Sequence, residues 1–572
     1  TTTTIINITT TTNTTHHHHH HMRSKRTITR SNRPLQFISY GSRKFLKVAA
    51  PLFDPIPSQN VRLGISHKLQ DYYRQEKQTG PLIDGYHPVV ADNGYCNFLA
   101  AVRKRCSYHT NARVDQEVHA GTYKFLDALF PFRSAPNPTW GWSGPLFETW
   151  VARFPPTKRQ RMYDALEGFA AQHDRLYEIG SKDLFVKVEA LMVGHKPNWA
   201  PRIIYKGSDL YNALLGPIAM RASQLFKERL GVMERDSEYK FRMAYEQQPE
   251  EFLRHVQSSP NPQGSYLQCD FSGNDKTQCR SVVLFFSALL RRLGLCEAFV
   301  RLEMVATLRF SVRSRTHQMK MTVSNQLATG SVFTTLRNSF WNMAIFFTFL
   351  TKYRVRSARG LFLGDDMLSL CVGLPEKAAK KYTYVCSLAR MDAKAERKRW
   401  FMECSFLSKS LFRDEGGNPF SIPIMGKALA RFNIRTDSND AVPDDVYMFS
   451  KALGYAYEFR QVEELSGIFL DRAELHAEAA ACFFRETRLT SEDVFDKMLH
   501  SSARGQGLLP SNVLEKIARC HTCDPYDFNF FCYFRYKLLS DDVLSVFQQV
   551  IMSTAVGDVS GPLLEPLIAD FL

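Results

Sequence analysis

The feature that most constrains this chain is a triplet, Gly364-Asp365-Asp366, set between the apolar run Leu361-Phe362-Leu363 and the run Met367-Leu368-Ser369-Leu370. Two short apolar segments joined through a glycine predict a β-hairpin whose tip carries adjacent carboxylates. If Asp270, upstream, is brought to about 4 Å from Asp365, the two repel by roughly 4 kcal/mol at an effective dielectric of 20, so the meeting requires cations. Magnesium suits hard oxygen ligands and phosphate substrates. The triplet alone is common by chance, and its weight comes from two segments upstream.

The first is Tyr266-Leu267-Gln268-Cys269-Asp270-Phe271-Ser272-Gly273-Asn274-Asp275. It predicts a short buried strand with Asp270 at its carboxyl end. A turn then places Asp275 at the start of a helix continuing through Val282 to Arg292, where an Asp can also serve as a cap. The second runs from Thr329 to Asn338. It predicts a glycine loop opening a helix, with Thr334 and Asn338 four residues apart on one face. Both are expected to hydrogen-bond with Asp275 and with the sugar of a nucleotide. A site built to bond a hydroxyl can reject the analogue lacking it by up to about 10⁴-fold.

Further upstream, Phe185 to Glu189 and Pro201 to Lys206 alternate as strands do around a Gly/Pro turn. Lys187, Arg202 and Lys206 would project from them toward phosphates, although isolated cations of this kind are usually a solvated hairpin face. Arg309, Arg313, Arg315 and Lys320 alternate similarly, as an RNA path or a charged sheet face.

Charge enters here. The formal balance is +16, from 73 basic and 57 acidic residues, which attracts polyanions and above all nucleic acid. No apolar run approaches membrane-spanning length, so membrane attachment would come from a surface patch, a partner or a segment outside this chain. With 44% apolar residues the chain predicts a folded protein of two or three subdomains. His16 to His21 followed by Met22 reads as an affinity tag with an artificial leader over residues 1–22, not as a metal site. Arg23 to Arg30 and Ser42 to Lys47 form a basic arm. The twelve cysteines are scattered and predict free thiols, and Cys520 and Cys523 supply at most half of a zinc site.

Together these motifs resemble viral RNA-dependent RNA polymerases of positive-strand RNA viruses, tombusvirus-like or nodavirus-like, over about residues 95 to 430. The family's basic fingers motif is similar to Lys187-Val188-Glu189, Lys196-Pro197, Pro201-Arg202, Tyr211-Asn212 and Gly216. Its first palm motif matches Asp270 and Asp275, its glycine loop Thr329, Gly330, Thr334 and Asn338, and its Gly-Asp-Asp motif residues 364–366. Gly273-Asn274 is a departure that leaves the subgroup open.

The resemblance implies an α+β right hand: an arm and fingers over residues 23–260, a palm with an antiparallel sheet and an inserted fingers segment over 261–415, and a helical thumb over 416–572, closed by fingertips. It implies templated RNA synthesis from NTPs with Mg²⁺ or, as a substitute, Mn²⁺, held by Asp270, Asp365, Asp366 and the backbone of Phe271. Lys394, near Lys398, would protonate pyrophosphate. Lys187, Arg202, Lys206, Asp275, Thr334 and Asn338 would meet the nucleotide, and Lys196, Gly330, Arg337 and Lys409 the RNA. Glu403 to Ser410 resembles the primer-grip hairpin. The implied partners are template and product RNA, NTPs and other viral or host replication factors, in the host cytoplasm at membrane-associated complexes or in viral particles. The alternatives are a reverse transcriptase-like palm polymerase and a non-enzymatic RNA-binding scaffold.

Overall fold

The computed structural model describes residues 6–7, 61–65, 77–83, 88–90, 95–106, 113–191, 200–257, 264–315, 317, 319–413, 417–436, 442–487 and 541–559. The histidine run, the whole basic arm, Lys196, Cys520 and Cys523 lie outside them. The chain is α+β, organised around a five-stranded sheet. Its spatial order is Asp392–Lys398, Gly264–Ser272, Asp366–Val372, Ser357–Leu363 and Tyr239–Met243. Neighbours are antiparallel except the last pair, which is parallel. Tyr239–Met243 precedes the sequence boundary at 260, yet it is an edge strand of this sheet.

Strand alternation explains how the sheet is buried on both sides. Leu267 and Cys269 face the largest core with Met367 and Cys371, while Tyr266 packs on the other side with Leu368, Leu370, Phe401 and Phe406. The helix Thr334–Lys352 runs through the larger core and buries Phe340, Trp341, Phe346 and Phe349. Each such ring contributes about 1.5–3 kcal/mol over leaving it exposed, so this central helix is a fixed support for whatever leans on it. Asp209–Asp236, capped by the Ser208 hydroxyl accepting from the Tyr211 amide at 3.1 Å, and Gln116–Leu129, capped by Asp115, close the same core.

A second sheet holds Val61–Ile65, Met319–Ser324, Arg309–Ser314, Ser181–Val186 and Ile203–Gly207. The helix Tyr95–Cys106 packs on it through Phe98, Leu99 and Val102. The segment between the first acidic motif and the glycine loop thus shares a sheet with strands from residues 181–207.

The C-terminal lobe is built on the helices Met425–Phe432, Asp444–Glu458, Glu463–Thr487 and Asp541–Met552. The short strand Lys77–Gln78 pairs with Ile434–Arg435 in this lobe, and Leu82–Ile83 with Asp558–Val559. Fully buried Arg472 joins the pieces: Nη1 donates to the carbonyls of Ile551 (2.6 Å) and Ser553 (3.0 Å), and Nη2 to that of Thr79 (3.1 Å). Among the described residues no helix is long and apolar enough to cross a membrane.

Candidate active site

The hairpin forms as the triplet predicts. Leu363 pairs with Asp366 across a two-residue turn, and Gly364 adopts φ +59°, which glycine reaches without steric cost. The tip is held from behind by the central helix. Ser339 Oγ accepts from the Gly364 amide at 2.9 Å, and Asn342 Nδ2 donates to the carbonyls of Gly364 (3.2 Å) and Asp365 (3.1 Å). Ser339 and Asn342 are buried in an otherwise aromatic helix, at 0% and 1% exposure. Buried polar groups need partners, and here the hairpin backbone is the partner. Sequence reasoning passed over both residues, although polar side chains breaking an apolar helical run were the available signal.

Three carboxylates converge at this tip. Asp270 is exposed two residues before the end of its strand, one residue beyond the pair Cys269 and Met367, and directly opposite Lys394 on the neighbouring strand. Burial pushes the Asp365 carboxyl up, and the charge of Asp270 adds to that shift. Asp275 is pushed up to about 6, first by burial and then by the charge of Asp365.

Asn338 stands between two of the three. Its Nδ2 lies 3.1 Å from Asp275 Oδ1 and 3.4 Å from Asp365 Oδ1. Its Oδ1 accepts from Asn274 Nδ2 at 3.1 Å and from Gln278 Nε2, which fixes the amide so that its donors face the acids. Asn274, the sequence departure noted above, is therefore a working part of the site. The helix expected to run on from Asp275 is broken instead into Asn274–Thr277 and Arg280–Arg292, which frees Gln278 to turn inward.

Among the described residues no group of three or more His, Cys, Asp or Glu side chains is arranged to enclose a metal. The donors that fit one are the hard oxygens of Asp270 and Asp365, with Phe271 next in the strand and Asp366 opening the outgoing strand. A carboxyl raised at Asp365 beside the charge of Asp270 is what a divalent cation would relieve. Remaining ligands would come from water, backbone and substrate phosphate, as is usual for magnesium.

The cations form a ledge on the second sheet. Arg202 binds Glu189 through two contacts, and Lys187 Nζ lies 3.4 Å from Glu189 Oε2. Burial alone would push Glu189 up, but Arg202 and then Lys187 hold it below its ordinary value. The charge of Arg202 also acts on Asp365, so the ledge lies within electrostatic reach of the tip. Lys206 is exposed on the same strand face as Arg202 and sits opposite Asp183 in the register.

Several expected roles change. Thr334 does not reach Asp275: its hydroxyl closes its own loop, with the carbonyls of Ser331 (2.8 Å), Ala328 (3.1 Å) and Thr329 (3.2 Å) as acceptors. Gly330 is a packing residue, since a Cβ there would lie 1.4 Å from the Tyr205 carbonyl oxygen. Arg337 turns inward at 1% exposure, where burial lowers its pKa to about 10 and the charges of Glu303 and Asp275 oppose that fall. It therefore offers no surface to RNA. Glu303 in turn accepts from Tyr211 Oη at 3.1 Å, and Tyr211 Oη lies 2.8 Å from Ser331 Oγ, so this buried network braces the glycine loop. Lys409 Nζ is 2.7 Å from Glu458 Oε2 in the C-terminal lobe. Lys398 pairs with Glu396 at 3.6 Å and sits opposite Tyr266, which leaves Lys394 as the lysine beside Asp270.

A family model described as RNA-dependent RNA polymerase matches residues 66–477. Curated relatives include RNA-directed RNA polymerase 2a of cucumber mosaic virus strains MB-8, NT9 and Iizuka. Each is 28% identical over 213 residues, covering 37% of this chain and 24% of the relative. The match thus spans about a quarter of the relatives' length.

Proposed function

The chain belongs to the RNA-dependent RNA polymerase family of positive-strand RNA viruses, and from that premise we propose that it copies an RNA template from NTPs by attack of a 3′-hydroxyl on the α-phosphate. The observation that carries this reading is that Asn338 joins Asp275 to Asp365, with Asp365 in turn within the field of Asp270 and Arg202.

In this reading the central sheet is the palm, the second sheet and its helices are the fingers, and the C-terminal lobe is the thumb. The strands at residues 77–83 that pair into that lobe support a closed hand. A divalent cation pair, Mg²⁺ or Mn²⁺, held by Asp270 and Asp365 with Asp366 and the Phe271 carbonyl in support, would lower the hydroxyl's pKa and stabilise the leaving pyrophosphate. Asn338 and Asp275 present a donor and an acceptor to the ribose hydroxyls. Arg202, Lys187 and Lys206 receive the triphosphate, with Glu189 aiming the guanidinium. Lys394, opposite Asp270, is placed to return a proton to pyrophosphate. Because the acids are fixed through the central helix, the reacting geometry is set before substrate binds.

The test is synthesis on a defined RNA template with and without primer in magnesium, reading product length and 5′ end. Template-dependent incorporation of ribonucleotides is expected. Its absence with either magnesium or manganese would overturn the reading, and RNA binding without synthesis would favour a scaffold.

A further inference from the structure

The basic ledge extends beyond the segment that announces it in the sequence. Arg105 lies at the end of the helix Tyr95–Cys106, far upstream of Lys187, yet the fold brings it to the same place. That helix end is fastened on several sides. Cys106 Sγ is 2.7 Å from the Tyr205 hydroxyl, and the Gln326 side-chain amide donates to the Cys106 carbonyl. Arg105 Nη2 donates to the carbonyl of Ala200 at 3.2 Å. Ala200 and Tyr205 flank Arg202, while Leu327, next to Gln326, donates its amide to the Asp275 carbonyl at 3.2 Å. The helix also packs directly on Asn274–Thr277, which carries Asp275. Arg105 is therefore fixed between the phosphate ledge and the ribose-facing acid.

Its surroundings are crowded with charge. The charged groups acting on it are Arg202, Glu189 and Asp275. Glu189 is already engaged by Arg202 and Lys187, and Asp275 by Asn338. Arg105 as a residue is half-buried, while its Nε is shielded from solvent and has no hydrogen-bond partner. The charge of Arg202 disfavours that of Arg105, a repulsion that phosphate between them would relieve, and a planar fork is well matched to phosphate oxygens.

We propose that Arg105 is a further nucleotide-contacting residue, meeting the incoming NTP between the triphosphate at Arg202 and the ribose at Asp275 and Asn338. This rests on the polymerase reading. In single-nucleotide extension by the full chain on a template–primer RNA, Arg105→Gln raises KM for the NTP about tenfold, the size expected for losing one charge-assisted hydrogen bond, with kcat within about twofold. Calorimetric titration of magnesium–GTP onto the RNA-loaded chain shows the same weakening in Kd. Arg105→Lys, which keeps the charge and loses the fork, falls between the two. If R105Q lacks a cooperative melt, the KM and Kd of R105K decide the matter.

Unchanged KM and Kd would overturn the proposal, as would a loss confined to kcat and melting temperature, which is the signature of a strut. The wild-type chain run alongside separates two failures: no templated synthesis by it removes the polymerase reading, whereas normal synthesis with an indifferent Arg105 removes this inference alone.

Discussion

At the hairpin tip, Asp365 and Asp275 are raised by burial and by neighbouring negative charge, whereas on the ledge Glu189 is lowered because Arg202 and Lys187 already neutralise it. The tip is electrostatically incomplete and gains when cations arrive. The ledge is complete and has to exchange part of an existing ion pair for phosphate. An acid cluster and a basic cluster of one site can thus be prepared in opposite ways. One is held in place by neutral amides against its own repulsion, and the other by a built-in counterion.

The sharpest way to break this contrast is Asp365→Asn. Synthesis is expected to fall by at least about 10³-fold, with RNA affinity within about twofold because the basic surface is untouched. Extension at the normal rate would show that the tip is not the reacting centre. Next in size is Asn338→Ala, which removes the amide joining Asp275 to Asp365. Paired incorporation kinetics should show the preference for NTP over dNTP falling about tenfold, and an unchanged ratio would release Asn338 from reading the sugar.

On the ledge, Glu189→Gln keeps the shape and discards the counterion. KM for NTP should rise about three- to tenfold as Arg202 loses its alignment. A fall in KM would mean that Glu189 competes with phosphate rather than aiming the guanidinium.

The smallest effect is a pH signature. Asp275 holds its proton more tightly folded than unfolded, with a pKa of about 6 against an ordinary 3.8. Its contribution to stability is thus fully present below about pH 3.8 and is lost as pH climbs through about 6. Without divalent metal, Asp275→Asn should therefore melt several degrees above wild type at pH 7.5, the gap closing toward pH 4. A gap independent of pH would mean that Asp275 is not strained by its charge.

What the sequence made legible was what lies close together along the chain. The triplet at 364–366 announces a hairpin that formed, whereas the segments carrying Asp270 and Asp275 and running from Thr329 to Asn338 formed in part: the helix from Asp275 breaks before Gln278, and Thr334 closes its own loop instead of reaching Asp275. Ser339, Asn342, Asn274 and Gln278 were not legible because their partners are distant in sequence: an amide in an aromatic helix does not say which turn it will clamp. Arg337 shows the converse error. Read alone, an arginine beside Asn338 suggests solvent and RNA, but helical periodicity turns it into the core, where Glu303 and Lys182 are also buried. Arg105 stayed hidden because its helix reads as ordinary amphipathic packing until the second sheet folds beneath it.

Arg472 has a consequence in time. The carbonyl of Thr79 leaves the ribosome early, its guanidinium partner follows only with residue 472, and the last acceptors, Ile551 and Ser553, later still. Until those acceptors exist, Arg472 cannot join residues 77–83 to the C-terminal lobe. A chain ending before residue 551 would therefore lack this clasp even with every acid and amide of the hairpin in place.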